Sequence, residues 1–67
     1  MALTGYGTKL RSLRMERGET LECVAEAIGV CASAVSQYET EQRMPRDETK
    51  VALADHFGMS VQEIFFA

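Results

Sequence analysis

The chain has 67 residues, 46% hydrophobic and 25% charged, with a formal net charge of −3. That length holds one small domain, residues 1–67, and a chain so short buries only about 60% of its unfolded surface, so its stability is slight or shared with a partner. No uncharged apolar run approaches the roughly 20 residues of a membrane span, and Met1–Gly7 lacks the basic-then-apolar order of a signal peptide, so neither a span nor a leader is expected.

From Leu3, apolar side chains recur at Tyr6, Leu10 and Leu13, the rhythm of one helix face. Gly18 suits the end of this helix, with Arg14 and Arg17 in its last turn complementing the dipole. Thr20 can cap a second helix whose apolar stripe is Leu21, Val24, Ala25 and Ile28, and Gly29 stops it. Val30 packs inward in a tight turn, and a third helix follows over 32–39 with Val35 and Tyr38 inward. Pro45 reads as the first residue of a fourth helix, with Asp47 and Glu48 favouring its start. Val51, Ala54 and Phe57, with Leu53 alongside, carry it to Gly58. Ser60-Val61-Gln62-Glu63 is a capping box that opens a last turn through Ile64, Phe65 and Phe66. No stretch alternates with period two, so the fold expected is all-α, with five short helices.

The chemistry available is narrow. Cys23 and Cys31 stand eight positions apart, neither a disulfide framework nor a zinc pattern, and free thiols suit a reducing cytoplasm. His56 is the lone histidine and suits the dipole at the end of the fourth helix better than a metal. With no nucleophile–base pair, no metal cluster and no Gly-rich phosphate loop, an enzyme is not expected, and no cofactor, metal or small-molecule ligand is called for.

The informative stretch is residues 20–39. Two helices crossing steeply over a short turn need a small residue where they touch and a glycine where the chain reverses, and Ala25 and Gly29 fill those places. This is a helix-turn-helix layout, in which the second helix enters the major groove N-terminus first.

At these residues the chain resembles the phage repressor/Cro-type (lambda repressor-like) helix-turn-helix regulators. The resemblance is carried by Leu10-Arg11-Ser12-Leu13-Arg14, Gly18, Thr20, Val24-Ala25, Ile28-Gly29-Val30, Val35-Ser36-Gln37-Tyr38-Glu39, Arg43, Pro45 and the tail from Leu53-Ala54 to Ile64-Phe65. The stretches 45–50 and 57–66 look particularly like small prophage-type regulators. The resemblance implies a transcriptional regulator, a repressor, whose partner is double-stranded DNA and which works as a homodimer.

Base contacts carried over from the family fall on Ala32, Ser33, Ser36 and Gln37. Gln37 can pair bidentately with adenine, the serines can donate or accept, and Ala32 can touch a thymine methyl. Thr20, Lys9, Arg43 and Arg46 are the expected phosphate contacts, Thr20 through the N-terminus of helix 2. Arg14 and Glu39 match a pair that forms a buried ion pair in phage repressors, whose disruption strands a charge at about 3–5 kcal/mol. Ile64, Phe65 and Phe66 form the expected dimer seam, with Met59 and Val61 beside it. Phe65 and Phe66 are adjacent, so one helix face cannot easily bury both.

Three departures stand out. Leu21 replaces the glutamine that holds phosphate in relatives, and Cys31 replaces the Ser or Thr that caps helix 3. Thr40-Glu41 replaces a common Asn-Gly, so the loop after helix 3 is expected to take another conformation. Charge is also uneven: +3 over residues 1–18, −5 over 19–42 and −1 over 43–67. Few phosphates would then be neutralised, giving weak monomer affinity and a shallow salt dependence that a dimer would offset. The acidic middle segment and Leu21 keep an alternative open, the same fold used as a protein-interaction module, antitoxin-like or an antirepressor partner.

Overall fold

The computed structural model describes residues 5–66. Five helices and no strand occur among them: α1 (Tyr6–Glu16), α2 (Leu21–Ile28), α3 (Ala32–Glu39), α4 (Asp47–Phe57) and α5 (Val61–Phe65). Leu3, expected to begin the first helix, lies outside the described residues. The core draws on every helix: Tyr6 and Leu10, Val24 and Ala25, Ala34, Val35 and Tyr38, Leu53, Ala54 and Phe57, and Ile64 and Phe65. Leu21, Ile28 and Val30 pack half-buried against it, so the leucine that replaces a polar residue at the start of α2 contributes apolar contact instead.

Local chemistry sets the boundaries. The Thr20 side chain accepts from the Cys23 amide at 3.1 Å and starts α2. Ser60 and Glu63 complete a reciprocal capping box on α5 at 3.1 and 2.8 Å. Cys31 precedes α3 and makes no side-chain cap bond, as a weakly accepting thiol would. Gly29 ends α2 at φ 79°, left-handed backbone in which a side chain would be strained, and its amide and that of Val30 both reach the Ala25 carbonyl. That turn lets α3 leave α2 abruptly.

The end of α3 corrects the expected loop. α1 closes with left-handed Gly18 and the bonds Gly18 N to Met15 O and Glu19 N to Arg14 O. α3 closes in the same way, Glu41 N to Tyr38 O at 3.2 Å and Gln42 N to Gln37 O at 2.9 Å. Glu41 therefore holds φ 61° in the place where glycine would be free of strain, at a cost of about 1–2 kcal/mol for an L-residue. The turn is kept despite the missing glycine, because the Glu41 side chain finds compensating partners.

α4 differs from expectation twice. Its first residue is Asp47, with extended Arg46 as N-cap, whose carbonyl accepts from Lys50 N at 2.8 Å; Pro45 lies outside the helix and is buried. Val51 is 51% exposed rather than inward. The inward face runs through Leu53, Ala54 and Phe57, and Lys50 shares it, its ammonium lying 5.7 Å from the Phe65 ring and 5.6 Å from the Phe66 ring. The Lys50 side chain is only 12% exposed, and its ammonium, with Asp47 Oδ1 3.8 Å away, meets the rings as a cation–π contact. At α5, Ile64 and Phe65 are buried within the chain itself, 4% and 0% exposed. Of the expected seam only Phe66, at 48%, presents a large free surface.

Candidate nucleic-acid interface

α3 has two faces. Ala34, Val35 and Tyr38 are buried, whereas Ser33 is exposed and Ser36 and Gln37 are half-exposed. Ser33, Ser36 and Gln37 are three and four residues apart, so they share one outward strip of about one helical turn. Ala32, four residues before Ser36, is half-buried and packs against the core. The strip carries hydroxyl and amide groups and no charge, a composition suited to hydrogen-bond readout rather than electrostatic attraction.

The candidate phosphate contacts divide into two locations. Arg43 and Arg46 are exposed and line an open groove of about 460 Å³ with Ile28, Gly29, Val30, Tyr38, Glu48 and Thr49. The groove thus joins the turn between α2 and α3 to the start of α4. Within it the Arg43 guanidinium lies 6.0 Å from the centroid of the Tyr38 ring. Lys9 is exposed on α1 and does not line the groove; it faces Glu63, whose carboxyl is held below its ordinary value by the Ser60 hydrogen bonds and, to a smaller degree, by the Lys9 charge. Thr20 is exposed at the N-terminus of α2, its side chain already engaged by Cys23 N.

Behind α3 sits an ion pair. Arg14 Nε donates to Glu39 Oε2 at 2.7 Å and Nη2 to Oε1 at 3.1 Å, while Nη1 donates to the Glu19 carbonyl at 2.9 Å. The side chains are 15% and 7% exposed, so α1 is tied to the last turn of α3 by a largely dry, two-pronged contact. The hydrogen bonding to Glu39 raises the guanidinium pKa above its usual value.

Other linkages have no local signal in the sequence. His56 Nε2 and Glu19 Oε1 are 2.8 Å apart, joining the end of α4 to the segment before α2. That hydrogen bond, with the Arg17 charge, holds the Glu19 carboxyl below its ordinary value. His56 also meets the edge of the Phe57 ring. Glu41 Oε2 accepts from Gly5 N at 2.8 Å and Gly7 N at 3.0 Å, capping α1 from 36 residues away. Tyr6, between those glycines, donates its hydroxyl to the Arg43 carbonyl at 3.2 Å, and burial together with the Glu41 charge raises its pKa. Gly7 is required there: a Cβ would run into the Glu39 carbonyl oxygen. Among the described residues no three His, Cys, Asp or Glu side chains converge as a metal site would require, and no helix is long and apolar enough to cross a membrane.

A capped α2, a glycine turn and an α3 with a polar outer strip, all braced by α1, α4 and α5, define a helix-turn-helix domain of the phage-repressor fold. A family model described as "Helix-turn-helix domain" matches residues 6–64, and the chain belongs to that family. The chain is 36% identical over 59 residues to the cryptic phage CTXphi transcriptional repressor RstR of Vibrio cholerae, covering 88% of this chain and 53% of that protein. It spans about half, or less, of the length of the curated relatives it matches. Among solved structures, the restriction-modification controller protein C.AhdI of Aeromonas hydrophila superposes with a TM-score of 0.85 at 30% identity, covering 94% of this chain and 96% of that one. The P22 c2 repressor, solved in complex with a synthetic operator, superposes with a TM-score of 0.89 at 23% identity over 91% and 92% of the two chains, a likeness of fold.

Proposed function

We propose that this chain is a sequence-specific DNA-binding transcriptional regulator, a repressor that reads a major-groove half-site with α3 and acts as a homodimer in the cytoplasm. The observation that carries this reading is the outward strip of α3, Ser33, Ser36 and Gln37, on a helix whose opposite face is wholly buried. Gln37 is assigned the bidentate amide contact to adenine, Ser33 and Ser36 adaptable base contacts, and Ala32 a thymine methyl. Arg43 and Arg46 hold phosphates beside the helix-turn-helix, Thr20 marks the N-terminus of α2 that does the same, and Lys9 contributes at longer range. Membership of a helix-turn-helix family and similarity to a phage transcriptional repressor support the assignment. The reading calls for neither a cofactor nor catalysis.

The charge distribution supports the dimer. The segment 19–42 carries −5, so one protomer neutralises few phosphates, and two half-sites double the contacts. Exposed Phe66, with half-buried Met59 and Val61 nearby in sequence, is the apolar surface for that seam.

A gel-shift titration with the DNA upstream of the protein's own gene, at two salt concentrations and with random competitor duplex, tests the reading. A shift that survives competitor and is lost in Gln37→Ala supports it. No preference over random duplex at low salt refutes it. Capture of a protein on the exposed Glu22 and Glu26 face of α2 would then favour the interaction-module alternative.

A further inference from the structure

We propose that Glu41 is a positioning residue for DNA binding: its carboxylate tethers the loop between α3 and α4 to the N-terminus of α1 and so fixes where Arg43 starts. The proposal rests on the DNA-binding reading given above and adds to it a residue that touches no DNA.

Three consecutive residues of α1 and its cap hold the loop. Gly5 N and Gly7 N both donate to Glu41 Oε2, at 2.8 and 3.0 Å, and the Tyr6 hydroxyl donates to the Arg43 carbonyl at 3.2 Å. The backbone is therefore gripped on both sides of Gln42. Tyr6 is a firm anchor, 5% exposed and with its ring 5.5 Å from that of Phe65, the most deeply buried residue of α5. From this gripped backbone the Arg43 side chain runs past the Tyr38 ring to the rim of the groove that Arg46 shares.

The tether answers a need at both ends. α1 has no side-chain cap on Gly5 and no acidic residue in its first turn, so its free amides and positive dipole end lack a local partner. Glu41 supplies one, and its φ of 61° aims the side chain there. The ends of α1, α2 and α4 carry glycine in the left-handed place, Gly18, Gly29 and Gly58, and none of the three can form such a link. A glycine at position 41 would satisfy the turn without strain. The acidic residue is explained by the tether, not by the turn.

This distinction makes Glu41→Gly the informative variant, because it keeps the turn and deletes the tether. Glu41→Gly leaves the loop held at Arg43 by the Tyr6 hydroxyl alone; the positioning role predicts that this single bond does not fix the guanidinium, so one phosphate contact per protomer is lost. The slope of log K against log salt should then become shallower by about 0.9 per protomer, with affinity at 0.1 M salt falling about eightfold per protomer. Glu41→Gln, whose amide oxygen can accept the same two bonds, should retain most of the slope and also serves if the glycine variant folds poorly. Arg43→Ala should reproduce the loss, and adding Glu41→Gly to it should change the slope no further. Wild-type binding with an unchanged slope in folded Glu41→Gly overturns the positioning role alone, as does full additivity of the two substitutions. Absence of any duplex binding by the wild type overturns the parent reading and this role with it.

Discussion

Replacing Glu39 by alanine tests how far the Arg14–Glu39 contact holds the domain together. The substitution removes both acceptors, at 2.7 and 3.1 Å, and leaves the Arg14 guanidinium with the Glu19 carbonyl at 2.9 Å. Deleting one partner of a buried ion pair costs about 3–5 kcal/mol. The surviving bond and the 15% exposure of Arg14 place this case at the low end, about 3 kcal/mol. A domain of this length holds about 3–10 kcal/mol in all, and loses roughly 4–8 °C of Tm per kcal/mol, so Tm should fall by roughly 12–24 °C. Circular dichroism melts of wild type and Glu39→Ala measure it directly. Arg14→Leu/Glu39→Leu should recover much of the loss, since apolar groups of similar size can replace a dry pair. Binding to duplex DNA, measured well below the mutant Tm, should stay near the wild-type value. Equal melting temperatures for Glu39→Ala and wild type would refute the reasoning.

Gly7→Ala should destabilise by about 1–2 kcal/mol, because overpacking against the Glu39 carbonyl outweighs the helix propensity gained; a raised Tm would contradict the close approach. Stability should also fall in acid. The Glu19 and Glu63 carboxyls are both held below the ordinary 4.5, so the stability they contribute is full above that pH and is lost as pH drops through their lowered folded values. Melts between pH 7 and 3 should show this decline, less of it in Glu63→Gln, and a flat profile would speak against both contacts. Phe66→Ser should leave the melting of the dilute monomer nearly unchanged while weakening self-association in sedimentation equilibrium. A wild type that stays monomeric when saturated with its half-site pair would remove the seam.

What could be read from the sequence was what depends on neighbours three or four residues away. Thr20, Gly29 and the Ser60–Glu63 box announce their helices because caps are local chemistry, and the inward pairs of α2 and α3 follow from helical period. The lysine at position 50 concealed the true register of α4: a charged residue occupies the inward strip with its ammonium over the rings of Phe65 and Phe66, so Val51 looked like the better candidate. The contacts of Glu41 with Gly5 and of His56 with Glu19 join residues 36 and 37 positions apart, and no pattern in the chain foretells them. Gly7 was equally silent, its role arising only where α1 crosses the end of α3. Counting apolar residues near the C-terminus overestimated the seam, since Ile64 and Phe65 are spent on closing the core.

The proposed function assigns the DNA-facing surface to α3 and the groove beside it. Backbone amide chemical shifts of the labelled protein, followed through titration with a short duplex carrying its operator half-site, test that surface residue by residue. The changes should concentrate at Ser33, Ser36 and Gln37, at Thr20, and around Arg43 and Arg46, and should leave α5 nearly still. Changes confined to the acidic outer face of α2, or spread evenly over the domain, would contradict it.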